Sequence, residues 1–281
     1  MKEVRTENFI KFLGTAGARF VVTTQLRASG GIWINLNNVN ILLDPGPGSL
    51  VRVLSSRPKL NPAHLNAIYI SHRHIDHCND VSIMIEAMTE GGTAKRGILL
   101  IPHDALFKET VVFPHTLDYL PQPPVILKEG GQYSINGITI ATPLKHLHQV
   151  DTFGCLVTNG EIKIAYIADT AYFPELVNAY RCDIAIINVV LLEPRSNVQH
   201  LSFMDAELLI SQLKPRIAIL THFGMHVIRN KPWELAQAIE NKLELKVIAA
   251  SDGFTYRIED LGDSGKGGRG EREGWPDEEN K

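Results

Sequence analysis

Eight consecutive residues constrain this 281-residue chain more than any other feature: Ser71-His72-Arg73-His74-Ile75-Asp76-His77-Cys78, an H-x-H-x-D-H pattern. An apolar run with strand character, residues 67–70, comes just before it, and an amphipathic run, residues 81–88, follows. The cluster therefore falls where a strand ends and a helix is about to begin. In extended backbone alternate side chains share a face, so His72 and His74 can converge on one point while Asp76 and His77, in the turn, address a second point beside it. Neutral imidazole nitrogens and a carboxylate are the ligands that borderline divalent ions take. A solvated polar loop needs no such order.

This pattern resembles the signature of the metallo-β-lactamase superfamily of metallohydrolases, and the resemblance runs over residues 9–258. It implies an α/β fold in which two mixed β-sheets, flanked by helices, form an αββα sandwich with a two-metal site at the sheet edges.

Around the motif, strand-like and helix-like runs alternate as two similar halves. Residues 9–13 read as a strand halted by Gly14-Thr15-Ala16-Gly17-Ala18. Spacing there fits neither a P-loop nor a dinucleotide fingerprint, so a tight turn is the reading taken. Residues 31–36 and 39–43 form a hairpin over Asn37-Asn38, and the second strand runs into Asp44-Pro45-Gly46. Helices are predicted at 49–54, 81–88, 102–107, 174–179, 203–213 and 232–242. Further strands are predicted at 97–101, 125–127, 132–135, 138–142, 155–158, 163–167, 184–188, 217–220, 246–249 and 254–258. Asn159-Gly160 is a strong hairpin signal. Residues 108–124 are proline-rich and aperiodic and read as a long loop. His64 is taken as a surface residue, while His103 and His115 read as solvated or structural.

The resemblance requires more ligands than one motif holds: a third His for the first ion, a bridging anion and a further His for the second. The ends of apolar strand runs offer the His146/His148 pair, Asp169 and His222. His148 is chosen because Phe153-Gly154 follows it at the spacing of the phosphodiesterase branch, which leaves His146 as a brace or a substrate-facing group. His222 ends a strand, whereas His226 lies beyond a glycine turn. The resemblance thus implies His72, His74 and His148 on one ion, Asp76, His77 and His222 on the other, and Asp169 between them, with Asp76 also counted as catalytic and Asp44 bracing the ligands. Two divalent ions are expected, zinc first, with manganese or iron as alternatives. Such a pair, roughly 3.5–4 Å apart, can share one hydroxide.

Side chains choose among the branches. The second motif position is His74, where the oxygen reductases of the superfamily carry Glu. An Asp stands at 169, where β-lactamases lack the bridge, and Leu147-His148-Gln149-Val150-Asp151 does not look like the thioesterase motif. Tyr166-Ile167-Ala168-Asp169-Thr170, Leu220-Thr221-His222-Phe223 and His200-Leu201-Ser202 ahead of a helix are similar to the branch of tRNase Z and the cyclic-phosphate phosphodiesterase. There His200 is implied to protonate a leaving group. The expected activity is hydrolysis of a small or cyclic phosphodiester. An RNA-processing endoribonuclease of tRNase Z type, or a lactone or thioester hydrolase, is the alternative. Nucleic acid is not favoured as a partner: about twenty residues separate His148 from Asp169, too few for the basic arm of tRNase Z, and no Lys/Arg cluster compensates. The formal net charge is -3.

Three widely separated cysteines point to a reducing compartment. With no signal core and no membrane span, the expectation is a cytoplasmic protein without a membrane partner, and the resemblance suggests a homodimer. Residues 1–261 are assigned to the hydrolase domain. Residues 262–281, glycine and charge, are expected to form a disordered tail.

Overall fold

The computed structural model describes residues 7–262. Among the described residues, fourteen strands fall into two sheets. The first contains β1 (Phe9–Phe12), β2 (Ile32–Leu36), β3 (Val39–Leu43), β4 (Leu65–Tyr69), β5 (Ile98–Ile101) and β6 (Val125–Ile126). The second contains β7 (Gly131–Ile135), β8 (Ile138–Thr142), β9 (Cys155–Thr158), β10 (Lys163–Ile167), β11 (Ile184–Asn188), β12 (Ile217–Thr221) and β13 (Lys246–Ala249). The last strand, β14 (Thr255–Arg257), crosses back to pair with β1, giving the orders β14-β1-β2-β3-β4-β5-β6 and β13-β12-β11-β10-β9-β8-β7.

Each sheet is antiparallel on one side and parallel on the other. In the first, β14–β1, β1–β2 and β2–β3 are antiparallel and β3–β4, β4–β5 and β5–β6 parallel. In the second, β7–β8, β8–β9 and β9–β10 are antiparallel and β10–β11, β11–β12 and β12–β13 parallel. Parallel strands are buried on both faces and read as continuous apolar runs, which is why Ile184-Ala185-Ile186-Ile187 and Ile217-Ala218-Ile219-Leu220 show no alternation. Their side chains still divide with period two. Ile184, Ile186, Ile217 and Ile219 enter the core between the sheets. Ala185, Ile187, Ala218 and Leu220 enter a second core beneath the helices Phe203–Leu213 and Pro232–Leu243. Trp33 and Leu42 point out of the first sheet into a third core, under the helix Val81–Met88. The result is the four-layered αββα sandwich.

The structure corrects some local expectations. Ala18–Thr24 and Met225–Arg229 are helical, and Pro114–Leu117 forms a short helix inside the segment expected to be aperiodic. Gly262, the first residue of the segment expected to be disordered, is the last of a 3-10 helix, Ile258–Gly262. The remaining residues of that tail, 263–281, lie outside the described residues. Among the described residues, no helix is long and apolar enough to cross a membrane.

Candidate metal centre

Every candidate ligand stands just past the end of a strand or on a turn anchored there. The motif follows β4 and enters the short helix Ile75–Cys78, with His74 in extended backbone as its N-cap. Asp169 lies two residues past β10. His222 follows β12 directly with φ +62, and Asp44 follows β3 with φ +50. Left-handed backbone at a residue with a Cβ is strained by roughly 1–3 kcal/mol, and such strain gathers at functional sites. The turn at residues 14–17 packs on the backbone of His222: a Cβ on Gly17 would stand 2.1 Å from the His222 carbonyl oxygen. The glycines there permit close approach of two backbones, and the segment leads into the helix Ala18–Thr24 and not into a second strand.

One set of nitrogens is formed by His72 Nε2, His74 Nδ1 and His148 Nε2, with His74 Nδ1 3.0 Å from the first and 3.2 Å from the second. Their far sides fix the tautomers. His148 Nδ1 lies 3.0 Å from the Gln199 carbonyl, which can only accept, so Nδ1 carries the proton. Ser71 Oγ donates to Asp44 Oδ2 at 2.6 Å and so accepts from His72 Nδ1 at 2.9 Å. Both Nε2 atoms therefore present lone pairs, and the single proton that His74 Nδ1 can carry satisfies only one of them. A cation resolves this arrangement. Burial first, then the neighbouring imidazoles, hold His72 well below its ordinary value and push His74 down to about 4.

The second set is Asp76, His77 and His222. Asp76 Oδ2 lies 3.7 Å from both His77 Nε2 and His222 Nε2. Both nitrogens are buried with no hydrogen-bond partner, although His77 Nδ1 is satisfied by Asp44 Oδ2 at 2.9 Å. Orphaned buried ring nitrogens aimed at a carboxylate fit a metal site and are costly without one. Burial works against a charged His77, but Asp76, Asp169 and Asp44 outweigh it and hold its pKa well above the ordinary value.

Asp169 lies between the sets. Its Oδ2 is 3.8 Å from His72 Nε2 and 3.5 Å from His77 Nε2, and its Oδ1 is 3.4 Å from His222 Nε2. The side chain is 2 % exposed. Burial opposes ionisation, yet His222, His200 and His77 together keep the carboxyl well below the usual range. His200 joins from the other side, its Nδ1 buried, without a hydrogen-bond partner and 3.4 Å from Asp169 Oδ2. Its position follows from the helix behind it. Ser202 is the N-cap of Phe203–Leu213 in a reciprocal capping box with Asp205.

Asp44, His72 and His77 also converge. This third cluster is a brace rather than a site. Asp44 Oδ1 accepts from Ser71 N at 2.6 Å, and Asp44 Oδ2 accepts from Ser71 Oγ, His77 Nδ1 and the Tyr166 hydroxyl at 2.6, 2.9 and 2.7 Å. That oxygen is already saturated with donors.

Of the remaining histidines, His146 is buried, with Nε2 2.8 Å from the Tyr180 hydroxyl and Nδ1 3.3 Å from the Asp169 carbonyl. It braces Asp169 and does not face substrate. Burial lowers its pKa to about 4. His64, His103, His115 and His226 are exposed. Phe153-Gly154, whose spacing selected His148, packs on the other histidine of the pair. A Cβ on Gly154 would stand 2.7 Å from His146 Cε1 and 2.4 Å from the Tyr166 carbonyl oxygen, so the glycine makes room for His146. Sequence reasoning missed Tyr166, Asn188 and Tyr180, the groups that hold the carboxylates and His146. The available signal was Asn188, a polar residue closing the apolar run 184–187.

The model of the beta-lactamase superfamily domain matches residues 39–223, from β3 to just past His222. The uncharacterized protein MJ1374 of Methanocaldococcus jannaschii is 34% identical over 259 residues, covering 89% of this chain and 94% of its own. Among solved structures, the metallo-beta-lactamase fold protein YhfI from Bacillus subtilis aligns with a TM-score of 0.73 at 20% identity, over 89% of this chain and 99% of that one. A diphosphatase from the PhnP family aligns with a TM-score of 0.64 at 16% identity, over 90% of this chain and 98% of that one. The sandwich, the strained strand ends and the unsatisfied imidazoles are what that family's fold and metal chemistry require, and the chain belongs to the beta-lactamase superfamily of metal-dependent hydrolases.

Proposed function

We propose that the centre hydrolyses a small phosphodiester, cyclic ones included, with His200 as the proton donor to the leaving group. The observation that carries this reading is His200 itself. It stands outside the two ligand sets assigned to the ions, although it converges with His148 and Asp169 in a further group of metal-ligating type, and its side chain is 20 % exposed against 2 % for Asp169. Expulsion of an alkoxide needs a proton in the transition state, and an imidazole is suited to supply it near neutral pH.

Two divalent ions, zinc first, held by His72, His74 and His148 and by Asp76, His77 and His222 with Asp169 between, would acidify a water and draw charge off the phosphoryl oxygens. The protein's own groups do the remaining work. Asp44 and Gln199 fix which nitrogen of His77 and of His148 faces inward. Asp169 Oδ2 lies on the Nδ1 side of His200, which leaves Nε2 for the substrate oxygen. Burial holds His200 below its ordinary value, against the pull of Asp169. An arriving phosphodiester anion acts in the same direction as Asp169 and favours the imidazolium, whereas a neutral lactone brings no such charge. Similarity in fold to a PhnP-family diphosphatase and, equally, to a human tRNase Z is in keeping with phosphodiester chemistry and does not choose between a small substrate and RNA. Support for the small substrate comes from the segment between His148 and Asp169, which is filled by a loop and the β9–β10 hairpin and has no room for a nucleic-acid arm.

A single panel tests this: bis(p-nitrophenyl) phosphate, cyclic nucleotides, a precursor tRNA and a lactone, each with zinc, manganese or iron. Turnover of the phosphodiesters with the tRNA and lactone left intact is the expected result. Preferential cleavage of the lactone or the tRNA would overturn the reading.

A further inference from the structure

The ligands come from two different sheets, yet one hydrogen-bond path joins them behind the centre. Asp44 closes β3 of the first sheet and holds Ser71 and His77 there. Its remaining donor comes from the second sheet: the Tyr166 hydroxyl, on β10, donates to Asp44 Oδ2 at 2.7 Å. Asn188, the last residue of β11, donates through Nδ2 to the Tyr166 oxygen at 3.3 Å and to Asp169 Oδ1 at 2.9 Å. Every proton on this path has a fixed direction. A carboxylate only accepts, so Tyr166 must donate to Asp44, and its oxygen then accepts from Asn188. The amide has two hydrogens, and the other goes to Asp169. Tyr166 is 2 % and Asn188 3 % exposed, so water does not compete for these bonds.

The bonds lie in an otherwise apolar layer. Tyr166 belongs to the buried cluster between the sheets, together with Ile164, Ala168, Ile186 and Phe153. A hydroxyl placed there without partners would be destabilising. Phenylalanine would fill the same volume, so packing does not explain the hydroxyl. Its geometry does: it is the link between the carboxylate that orients His72 and His77 and the amide that orients Asp169.

We propose that Tyr166 and Asn188 are positioning residues that set the separation and orientation of the two ligand sets, so that Asp169 is presented to both at once. One half of the path acts on His72, through Ser71, and on His77. The other half acts on Asp169. The hydroxyl makes them one unit. This inference rests on the metal-hydrolase reading but not on any choice of substrate.

Its test is a metal measurement. Tyr166→Phe, Asn188→Ala and the double variant are compared with the natural chain by zinc titration against a competing chelator and by the absorption spectrum of the cobalt-loaded protein. Circular dichroism verifies the fold. Each single variant is expected to bind metal about 10- to 100-fold more weakly, the usual effect of losing a group that orients a ligand, and to show a shifted cobalt spectrum. The double variant should lose far less than the product of the two single losses, because both act on one path. Tyr133→Phe, which removes a hydroxyl bonded to the Ile126 carbonyl and the Lys128 amide, should leave metal affinity and spectrum unchanged. Unchanged affinity and spectrum in folded Tyr166→Phe would overturn the proposal. So would losses in the two single variants that simply multiply. If Tyr166→Phe does not fold, Asn188→Ala decides by the same two readouts. No substrate enters the titration, so a wrong substrate assignment cannot be mistaken for failure of this inference.

Discussion

The two ligand sets sit side by side but store opposite charge preferences. His72, His74 and His148 face each other, with Asp169 Oδ2 3.8 Å from His72 Nε2. Burial first, then the neighbouring imidazoles, His77 for His72 and His148 for His74, hold His72 well below its ordinary value and His74 down to about 4. In the other set His77 looks at Asp76 and Asp169 with Asp44 behind it, and its pKa is held well above the ordinary 6.5. Without metal, then, the first set has at most one ring proton, on His74 Nδ1, to share between two facing lone pairs, and the second holds a proton where a cation belongs. Imidazoles alone and imidazoles among carboxylates are both good ligand sets, but only the second must release a proton to load.

Asp169 is the group both sets share, so its loss should have the largest effect. Asp169→Ala is expected to lower metal content and to reduce hydrolysis by at least the roughly 10²–10³-fold that loss of one electrostatic group at a reacting centre costs. Metal analysis alongside kinetics checks this. Full activity with one ion per chain would break the idea that the sets work as a pair. Removing His200, which belongs to neither set, should separate chemistry from metal binding. His200→Ala should slow an alkyl or ribose phosphodiester by about 10²–10⁴-fold but cleave bis(p-nitrophenyl) phosphate with a much smaller loss, since nitrophenolate leaves without a proton. Metal content should stay constant. Equal losses on both substrates with both ions retained would make His200 a positioning group.

How much of this arrangement could be read from the chain depends on its range in sequence. His72, His74, Asp76 and His77 were legible because six positions carry them, and Asp169 and His222 because each follows an apolar strand run. The helix Phe203–Leu213 was legible from its apolar periodicity, and the structure adds Ser202 as its N-cap. Contacts made only between sheets were not legible. Nothing near Tyr166 in sequence says that its hydroxyl reaches Asp44, 122 positions away. The short helices Ala18–Thr24 and Met225–Arg229 escaped notice because each is a brief run beside glycine turns; they pack on one another, and Ala18–Thr24 also packs on the motif helix. Phe153-Gly154 pointed to the correct neighbourhood through a spacing whose physical reason is His146.

The protonation contrast can be measured directly. Loading the second set displaces a proton from His77, so below that group's raised pKa the affinity for an ion there should rise about tenfold per pH unit, and dye-monitored zinc addition to metal-free protein should show proton release. The signs for stability run in opposite directions. His77 has a folded pKa above its unfolded value, so its contribution is present below about 6.5 and lost as pH rises through the folded value. His74, with its folded pKa about 4, favours the neutral form, so its contribution is present above 6.5 and lost as pH falls towards 4. Metal-free protein should therefore lose stability on both sides of an optimum, as followed by thermal melts across pH. Metal uptake without proton release would remove the distinction between the sets.

The smallest expected effect is the most selective. Ser71→Ala removes a hydroxyl that accepts from His72 Nδ1 at 2.9 Å and donates to Asp44 Oδ2 at 2.6 Å. Asp44 keeps its bonds to the Ser71 amide, His77 and Tyr166, so the second set retains its brace. His72 does not keep its own: it is 0 % exposed, and its Nδ1 proton would be left without an acceptor. An unsatisfied buried donor costs roughly 1–3 kcal/mol, and the proton can avoid that cost by moving to Nε2, where it blocks the lone pair aimed at the metal. Affinity at the first set should fall about tenfold, the low end of what such an orienting group contributes. At saturating metal, activity should be close to that of the natural chain. The two sites are resolved by loading one equivalent of cobalt and then one of zinc, in both orders, and reading the cobalt spectrum. If Ser71→Ala weakens the second set as much as the first, Asp44 transmits the loss across both, and the two sets are a single device with two charge states.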